Sequence, residues 1–124
     1  MALKVRVTQD RSFSRTVHLN GRLDHESVAV LDTELDKVAD QPVEVLIFDL
    51  ADLEYISSAG LRSIFAARNA VAERSRRLVL MNAQPQVQKV LDIIKAVDLA
   101  AVFGSVQELD RYLDAMQRRV VDGQ

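Results

Sequence analysis

The sequence predicts an α/β domain with a mixed sheet of about four to five strands, an N-terminal β-hairpin, parallel βαβ units and about four helices. The chain opens with two segments of alternating apolar and polar residues, and short apolar runs then alternate with helical spacing. Its 124 residues, 48% of them apolar, suffice for one domain with its own core. We expect this single domain to span residues 1–124, with an ordered core of about 3–116.

The first two strands are predicted from alternation. Residues 3–7 alternate apolar with polar side chains, which is the period of a half-buried strand. The pattern continues over residues 13–19 and ends at Asn20-Gly21. We expect the polar residues 9–12 to form the hairpin loop between these strands.

A helix and a buried strand are predicted next. Within residues 27–39 the apolar side chains recur at spacings of three and four, which indicates an amphipathic helix, and Asp24 is its expected N-cap. Residues 43–50 are almost continuously apolar and β-branched, which is typical of a central strand covered on both faces. A short acidic turn is expected after this strand.

The second half of the chain repeats the alternation of helix and strand. Its predicted elements are a helix from Ser57 or Ser58 to about residue 75, a strand over residues 77–81, a helix beginning at Pro85, a brief edge strand over residues 101–103, and a last helix that Ser105 and Glu108 open as a capping box.

Composition excludes several classes of protein. The absence of Cys excludes disulfides, thiolate catalysis and Cys-ligated metal sites. No apolar run approaches the roughly 18 residues that a membrane span needs, and the first residues lack the apolar centre of a signal peptide. We therefore expect a cytoplasmic protein without membrane insertion.

Charge is distributed unevenly along the chain. Residues 24–54 hold ten acidic residues and one basic residue, whereas the rest holds fifteen basic and eight acidic residues, so that the net charge is only −2. This balance does not indicate a basic face for nucleic acid. The acidic segment suits either a charged protein partner or a solvated helix face.

The segment over residues 49–62 is the most informative about function. It is expected to contain the end of a buried strand, the acidic turn, and the two serines, Ser57 and Ser58, that open a helix. Ligands and partners of α/β sheets bind where strands end and helices begin, and the unpaired N–H groups there favour an anion. We expect Ser58 to be exposed, with Gly60 allowing another surface to approach. The alternative is that either serine is only an N-cap.

Three motifs resemble the STAS domain of bacterial anti-sigma factor antagonists. Residues 55–62, Tyr-Ile-Ser-Ser-Ala-Gly-Leu-Arg, resemble the signature of that family, and residues 19–24, Leu-Asn-Gly-Arg-Leu-Asp, are similar to its strand-end motif. Residues 78–82, followed by Pro85 and Val90-Leu91, are similar to its fourth strand and third helix. The likeness covers roughly residues 3–116.

The resemblance implies a partner switch. In that family the unmodified domain binds a serine-kinase anti-sigma factor and so frees the sigma factor, phosphorylation of one serine ends the binding, and a metal-dependent phosphatase removes the phosphate. The acceptor corresponds to Ser58, and Ser57, which takes the place of an Asp in the family, is the second candidate. The resemblance implies no cofactor. The implied partner-binding residues are Asp24, Ser57, Ser58, Ala59, Gly60, Leu61 and Arg62.

A phosphate on Ser58 is expected to block the partner without unfolding the domain. It adds about −1.5 to −2 of charge at a helix N-terminus, where Arg62, one turn along, is placed to pair with it. Repulsion of the partner is then expected from the phosphate together with the neighbouring acidic residues Asp24, Asp52 and Glu54.

The sequence gives less support to an enzymatic function, and we expect a protein that is not an enzyme. A serine hydrolase needs a base beside its nucleophile, and the two histidines, His18 and His25, are interpreted as surface residues. Asp24-His25-Glu26 are consecutive and cannot all reach one metal ion from a helix.

Two further interpretations concern binding. The basic cluster Arg74, Arg76 and Arg77 has no aromatic neighbour for base stacking and is interpreted as a solvated face, so no nucleic-acid partner is expected. A STAS domain that does not switch, serving a lipid ABC transporter-like complex or a signalling scaffold, is left open as the alternative function.

Overall fold

The computed structural model describes residues 2–96 and 105–123. The strands are β1 (Leu3–Arg11), β2 (Ser14–Leu23), β3 (Val45–Ile56) and β4 (Arg77–Met81), and the helices are α1 (Val28–Ala39), α2 (Ser58–Glu73), α3 (Pro85–Ala96) and α4 (Val106–Val121). Their order confirms the predicted alternation. The edge strand predicted over residues 101–103 lies outside the described residues.

The strands form one mixed sheet in the order β1-β2-β3-β4. β1 pairs with β2 in antiparallel fashion, whereas β2 with β3 and β3 with β4 are parallel. The fold class is therefore confirmed, because α1 and α2 serve as the crossover helices of two successive βαβ units.

The hairpin is longer than predicted. β1 runs to Arg11, which pairs with Ser14, so that only residues 12–13 connect the strands. The predicted loop residue Asp10 instead accepts a hydrogen bond from the Thr16 hydroxyl across the hairpin, at 2.8 Å. β2 also continues beyond Asn20, because Gly21 takes a φ of +113° that a residue with a side chain rarely adopts.

β3 is longer as well, and the predicted acidic turn is wrong. The strand extends to Ile56 because β2 offers it a partner as far as Leu23, and two irregularities in their register absorb the mismatch. Asp52 and Glu54 are exposed residues of this strand, whereas Leu53 between them is buried.

The sheet is also not covered equally on its two faces. The covered face carries one continuous core, built from all four helices and the sheet, whose fully buried members are Val17, Leu19, Leu23, Leu31, Phe48, Leu50, Leu53, Ile56, Ile64, Val87, Val90 and Leu113. On the other face, Ile47 of β3 is half-buried and its partner Val79 of β4 is exposed. The expectation that β3 is covered on both faces is therefore wrong for the described part of the chain.

The predicted helices are found with small shifts of their ends. Within the described residues, no helix is long and apolar enough to span a bilayer. Ser105 precedes α4 and its hydroxyl accepts a hydrogen bond from the Glu108 N–H at 3.2 Å, as the capping box predicts. Helices α1 and α2 thus begin just after the ends of β2 and β3, and the candidate residues lie at these two helix starts.

Candidate functional site

The ends of β2 and β3 bring the two sequence motifs together. Leu23, the last residue of β2, lies opposite Ile56, the last residue of β3, and its carbonyl accepts a hydrogen bond from the Ser57 N–H at 2.9 Å. The chain leaves β2 through Asp24 toward α1 and leaves β3 through Ser57 into α2. The predicted neighbourhood of Asp24 and the two serines is therefore present, and it arises from parallel strand pairing.

Ser57 is the N-cap of α2. Its backbone is extended, and its hydroxyl accepts a hydrogen bond from the Gly60 N–H at 3.4 Å. The side chain is almost fully buried, with 4% of its surface exposed. This geometry is that of a capping serine. Ser57, the second candidate for phosphorylation, therefore has a structural role at the start of α2.

Ser58, the first residue of α2, is buried, so the expectation that it is exposed is wrong. Only 7% of its surface is accessible, and its hydroxyl oxygen has no hydrogen-bond partner among the described residues. Its backbone N–H donates to the Asp110 carboxylate of α4 at 2.9 Å. Ser58 therefore combines a buried, unbonded hydroxyl with a backbone amide that is bonded to α4.

A second contact joins α4 to the same place. The Gln117 side chain is 2% exposed, and its amide oxygen accepts from the Ile56 N–H at 3.0 Å while its amide nitrogen donates to the Ile56 carbonyl at 2.8 Å. One buried side chain thus satisfies both backbone groups of the residue that ends β3. Sequence analysis missed Asp110 and Gln117, although their spacing of three and four from the inward-facing Leu113 places them beside the apolar stripe of α4.

Gly60 is needed for packing inside the domain. A Cβ atom at this position would lie 2.6 Å from Cγ of Leu23 and 3.1 Å from Cγ1 of Ile56. Gly60 and Leu61 are both buried, so neither offers a surface to a partner in this state. The expectation that Gly60 admits another protein surface is therefore wrong here, since its close approach is to the strand ends.

Asp24 does not cap α1. The N-cap position is Ser27, and Asp24 instead closes the turn before the helix, where its Oδ1 accepts from the N–H groups of Glu26 and Ser27, both at 3.1 Å. The Asp24 side chain is partly exposed, and Arg22 lies 4.0 Å from its second oxygen. Asp24 is thus a preorganised carboxylate at the rim of the site.

Tyr55 connects the rim with α4. The Arg22 guanidinium lies over the Tyr55 ring, 3.9 Å from its centroid. Burial raises the pKa of the Tyr55 hydroxyl, and the negative charges of Asp114 and Asp110 raise it further, against the opposing effect of Arg22. The carboxylates of Asp110 and Asp114 therefore oppose a further negative charge beside Tyr55.

The other predicted residues lie at the margins or elsewhere. Ala59 and Arg62 line a groove of about 720 Å³ between α1 and α2, in which Ser63 donates a hydrogen bond to Asp32. Arg62 is exposed and makes no ion pair within the described part of the chain. Asp52 faces a separate cavity of about 240 Å³ on the open side of the sheet.

The histidines lie apart from the serines. The His18 ring is 3.0 Å from the Thr8 hydroxyl and 3.1 Å from the Asp49 carboxylate on the open side of the sheet. Burial raises the pKa of Asp49, but hydrogen bonds from Ala51, Asn82 and His18 outweigh it, so the pKa is lowered. His25 is exposed beside Glu26, its Nε2 3.9 Å from the Glu26 carboxylate. Among the described residues, neither histidine hydrogen-bonds to Ser57 or Ser58.

Comparisons with known proteins identify the family and the fold. The family model for the STAS domain matches residues 4–109. A curated protein of Bordetella bronchiseptica, named "Putative anti-sigma factor antagonist BtrV", is 32% identical over 75 residues, which are 60% of this chain and 65% of that protein. The match thus spans just under two thirds of that relative's length.

Solved structures share the fold. An anti-sigma factor antagonist from Mycobacterium paratuberculosis superposes with a TM-score of 0.64 at 20% identity, over 93% of this chain and 94% of that chain. The phosphorylated form of SpoIIAA, a Bacillus cell fate determinant, gives a TM-score of 0.62 at 20% identity, over 73% of this chain and 82% of that one. At 20% sequence identity, these similarities show only that the fold is shared.

Proposed function

The chain belongs to the STAS domain family, and from this premise we propose that it is an anti-sigma factor antagonist whose partner binding is switched by phosphorylation of Ser58. The partner is a serine-kinase anti-sigma factor that uses ATP, and a metal-dependent serine phosphatase restores the unmodified form. The protein acts in the cytoplasm by binding and catalyses no reaction of its own.

One observation carries this proposal. Ser58 is the first residue of α2 and has an unbonded hydroxyl, next to the strand end that presents Asp24. Ser57, the competing acceptor, has its hydroxyl engaged as the cap of α2. Of the two serines, Ser58 is therefore the one whose oxygen is free for transfer of a phosphoryl group.

The binding surface that we propose is narrower than the sequence motif. Gly60 and Leu61 belong to the core, so the residues left for a partner are Asp24, Ala59 and Arg62, together with the segment around Ser58. A phosphate of about two negative charges in this small area adds to the charge of Asp24. It would therefore repel an acidic or closely fitting partner surface.

Phosphoryl transfer provides the direct test. The protein is incubated with ATP and with the serine kinases encoded near its gene, and the modified residue is located by mass spectrometry. We expect phosphate on Ser58, none in Ser58→Ala, and continued transfer in Ser57→Ala, which loses only a cap worth about 1 kcal/mol. Phosphate found on Ser57 alone would overturn the assignment.

Binding provides the second half of the test. Ser58→Asp is expected to keep the fold and to bind the cognate kinase at least about tenfold more weakly than the unmodified protein. Circular dichroism checks the fold, and titration calorimetry gives the affinity. Unchanged affinity of a folded Ser58→Asp variant would rule out the switch.

A second function is favoured by one specific observation, the burial of Ser58. A STAS domain that never switches has no need for an accessible acceptor, and here the hydroxyl is covered. Such a domain would serve as a subunit of a lipid ABC transporter-like complex or a signalling scaffold. Stable copurification with a transporter ATPase, combined with no transfer from any neighbouring kinase, would support this function over the first.

A further inference from the structure

Helix α4 covers the proposed phosphorylation site through two polar contacts. Asp110 accepts the N–H of Ser58, and Gln117, two turns further along, binds both backbone groups of Ile56. We propose that α4 is a latch over Ser58, and that Asp110 is the residue through which a phosphate opens it. This inference rests on the proposed function, because it assumes that Ser58 carries the phosphate.

The position that a phosphate would take is already occupied by a carboxylate. The N–H groups in the first turn of a helix lack partners within the helix and attract anions. In α2 the Asp110 carboxylate takes the first of them, at 2.9 Å, and the Ser57 hydroxyl takes that of Gly60. A phosphate on Ser58 therefore competes with Asp110 for the same partly buried amide, and two anions placed at one amide repel each other.

The surroundings offer the phosphate little compensation on the side of α4. Asp114, one turn beyond Asp110, acts with it in raising the pKa of Tyr55, so both negative charges are felt under the helix. Arg62, one turn along α2 from Ser58, lines the groove that faces α1 and makes no ion pair with Asp110 among the described residues. A phosphate that pairs with Arg62 still faces the Asp110 carboxylate, so the repulsion favours departure of Asp110, which lies in the first half of α4.

The two contacts of the latch respond differently to charge. Gln117 is neutral and bonds to the backbone of β3, and Leu113 beside it is fully buried in the core. Added charge at Ser58 breaks the Asp110 contact and leaves the Gln117 contact in place. The latch therefore opens over residues 105–112 and stays closed over residues 113–121.

The same contact delays phosphorylation. Ser58 is 7% exposed in the state in which Asp110 holds its amide, so a kinase needs a more open state to reach the hydroxyl, and release of the Asp110 contact favours such a state. Removal of the Asp110 side chain favours the open state, and it also removes the charge that opposes the incoming phosphate. Asp110 is thus a positioning residue that sets both the access to Ser58 and the response to its modification.

Hydrogen–deuterium exchange on the full chain tests the latch without any kinase. Phosphoserine is incorporated at position 58 by genetic code expansion, and exchange is compared with that of the unmodified protein. We expect the amides of residues 105–112 to exchange about tenfold faster in the modified chain, with little change over residues 113–121. Equal exchange in both regions, or no acceleration at all, would overturn the proposal.

Three variants separate the charge of Asp110 from its hydrogen bond. Asp110→Asn still accepts the Ser58 N–H and is expected to remove most of the acceleration that phosphoserine causes. Asp110→Ala is expected to accelerate exchange over residues 105–112 before any modification. Asp114→Asn, the matched control on the same helix, is expected to respond to phosphoserine as the natural sequence does.

The outcomes also distinguish this inference from the proposed function. If no kinase modifies Ser58 but the incorporated phosphoserine opens α4, the switch fails as a function and the latch stands. If a kinase modifies Ser58 and the exchange of α4 does not change, the switch stands and the latch is refuted. An Asp110→Asn chain that responds as strongly as the natural sequence would show that the charge of Asp110 is not the cause.

Discussion

Helices α1 and α2 begin at neighbouring points of the sheet, yet their first turns are stabilised in different ways. Before α1, Asp24 accepts N–H groups of Glu26 and Ser27, two and three residues further along the chain. At α2, the first N–H is accepted by Asp110, which is 52 residues away. The start of α1 is therefore a local structure, whereas the start of α2 depends on the docking of another helix.

This difference determines how each site responds to added charge. The turn before α1 is exposed at His25 and Glu26, where water and ions screen a new charge. The first turn of α2 is buried at Ser57 and Ser58, where charge acts at low effective dielectric. We therefore expect that a negative charge added to Ser58 would affect α4, whereas one added in the turn before α1 would act only locally.

Among the variants that test this comparison, Gln117→Ala is expected to change the stability of the protein most. It leaves the buried N–H and carbonyl of Ile56 without partners, so we expect a loss of about 2–4 kcal/mol in the free energy of unfolding. Urea denaturation followed by circular dichroism measures it. Gln107→Ala, an exposed position on the same helix, is the control and should change stability by less than about 0.5 kcal/mol. Coincident transitions of the two variants would show that the end of β3 does not depend on α4.

Removal of the two carboxylates that accept N–H groups before α1 and at the start of α2 has smaller and more nearly equal effects on stability. Asp24→Ala and Asp110→Ala are each expected to cost about 0.5–2 kcal/mol. The residues that each variant affects differ, because the Asp24 contacts are local whereas the Asp110 contact joins two helices. Hydrogen exchange should rise only around residues 24–30 in Asp24→Ala, but around both 57–62 and 105–112 in Asp110→Ala. A purely local footprint for Asp110→Ala would contradict the comparison.

The smallest effect is expected on the ionisation of Tyr55. Its pKa is raised by burial and by Asp114 and Asp110, and less by Asp24. In a Tyr112→Phe background, which leaves Tyr55 as the only tyrosine, absorbance titration should show a lower pKa for Asp114→Asn and Asp110→Asn than for Asp24→Asn. If Asp24→Asn lowered it most, the field at this site would come from α1.

The same titration has a consequence for stability. Because the pKa of Tyr55 is higher in the folded state than in the unfolded state, its contribution is fully present below the unfolded pKa. It is lost as the pH rises through the folded pKa. The alkaline loss of stability should therefore be smaller in Tyr55→Phe than in the natural sequence, as measured by thermal unfolding at increasing pH.

Most of the elements could be predicted because their signals are local. The apolar spacing of α1 and α3 and the alternation in β1 report which side of each element is buried. The Ser105 cap of α4 was found from a motif of four residues. The motif around Ser58 was likewise sufficient to indicate the family, which the match over residues 4–109 confirms.

The errors lie where the outcome depends on a partner strand or helix. β3 runs to Ile56 because β2 pairs with it to its end, and no feature of residues 51–56 alone reports that partner. Asp24 was predicted as the N-cap, but Ser27 takes that position because the chain needs one further turn to enter α1. Such choices among nearby alternatives are made by packing, which local patterns do not contain.

The sequence by itself determined the family, the order of strands and helices, and the position of Ser58 at the start of α2. Only the tertiary structure decided that Ser58 is buried and that Gly60 packs too closely against Leu23 to carry a side chain. It also brought Asp110 and Gln117 to the end of β3, across 52 and 61 residues of chain. The physical reason is that propensity and periodicity act over a few residues, whereas the accessibility of a hydroxyl depends on which distant side chains pack upon it.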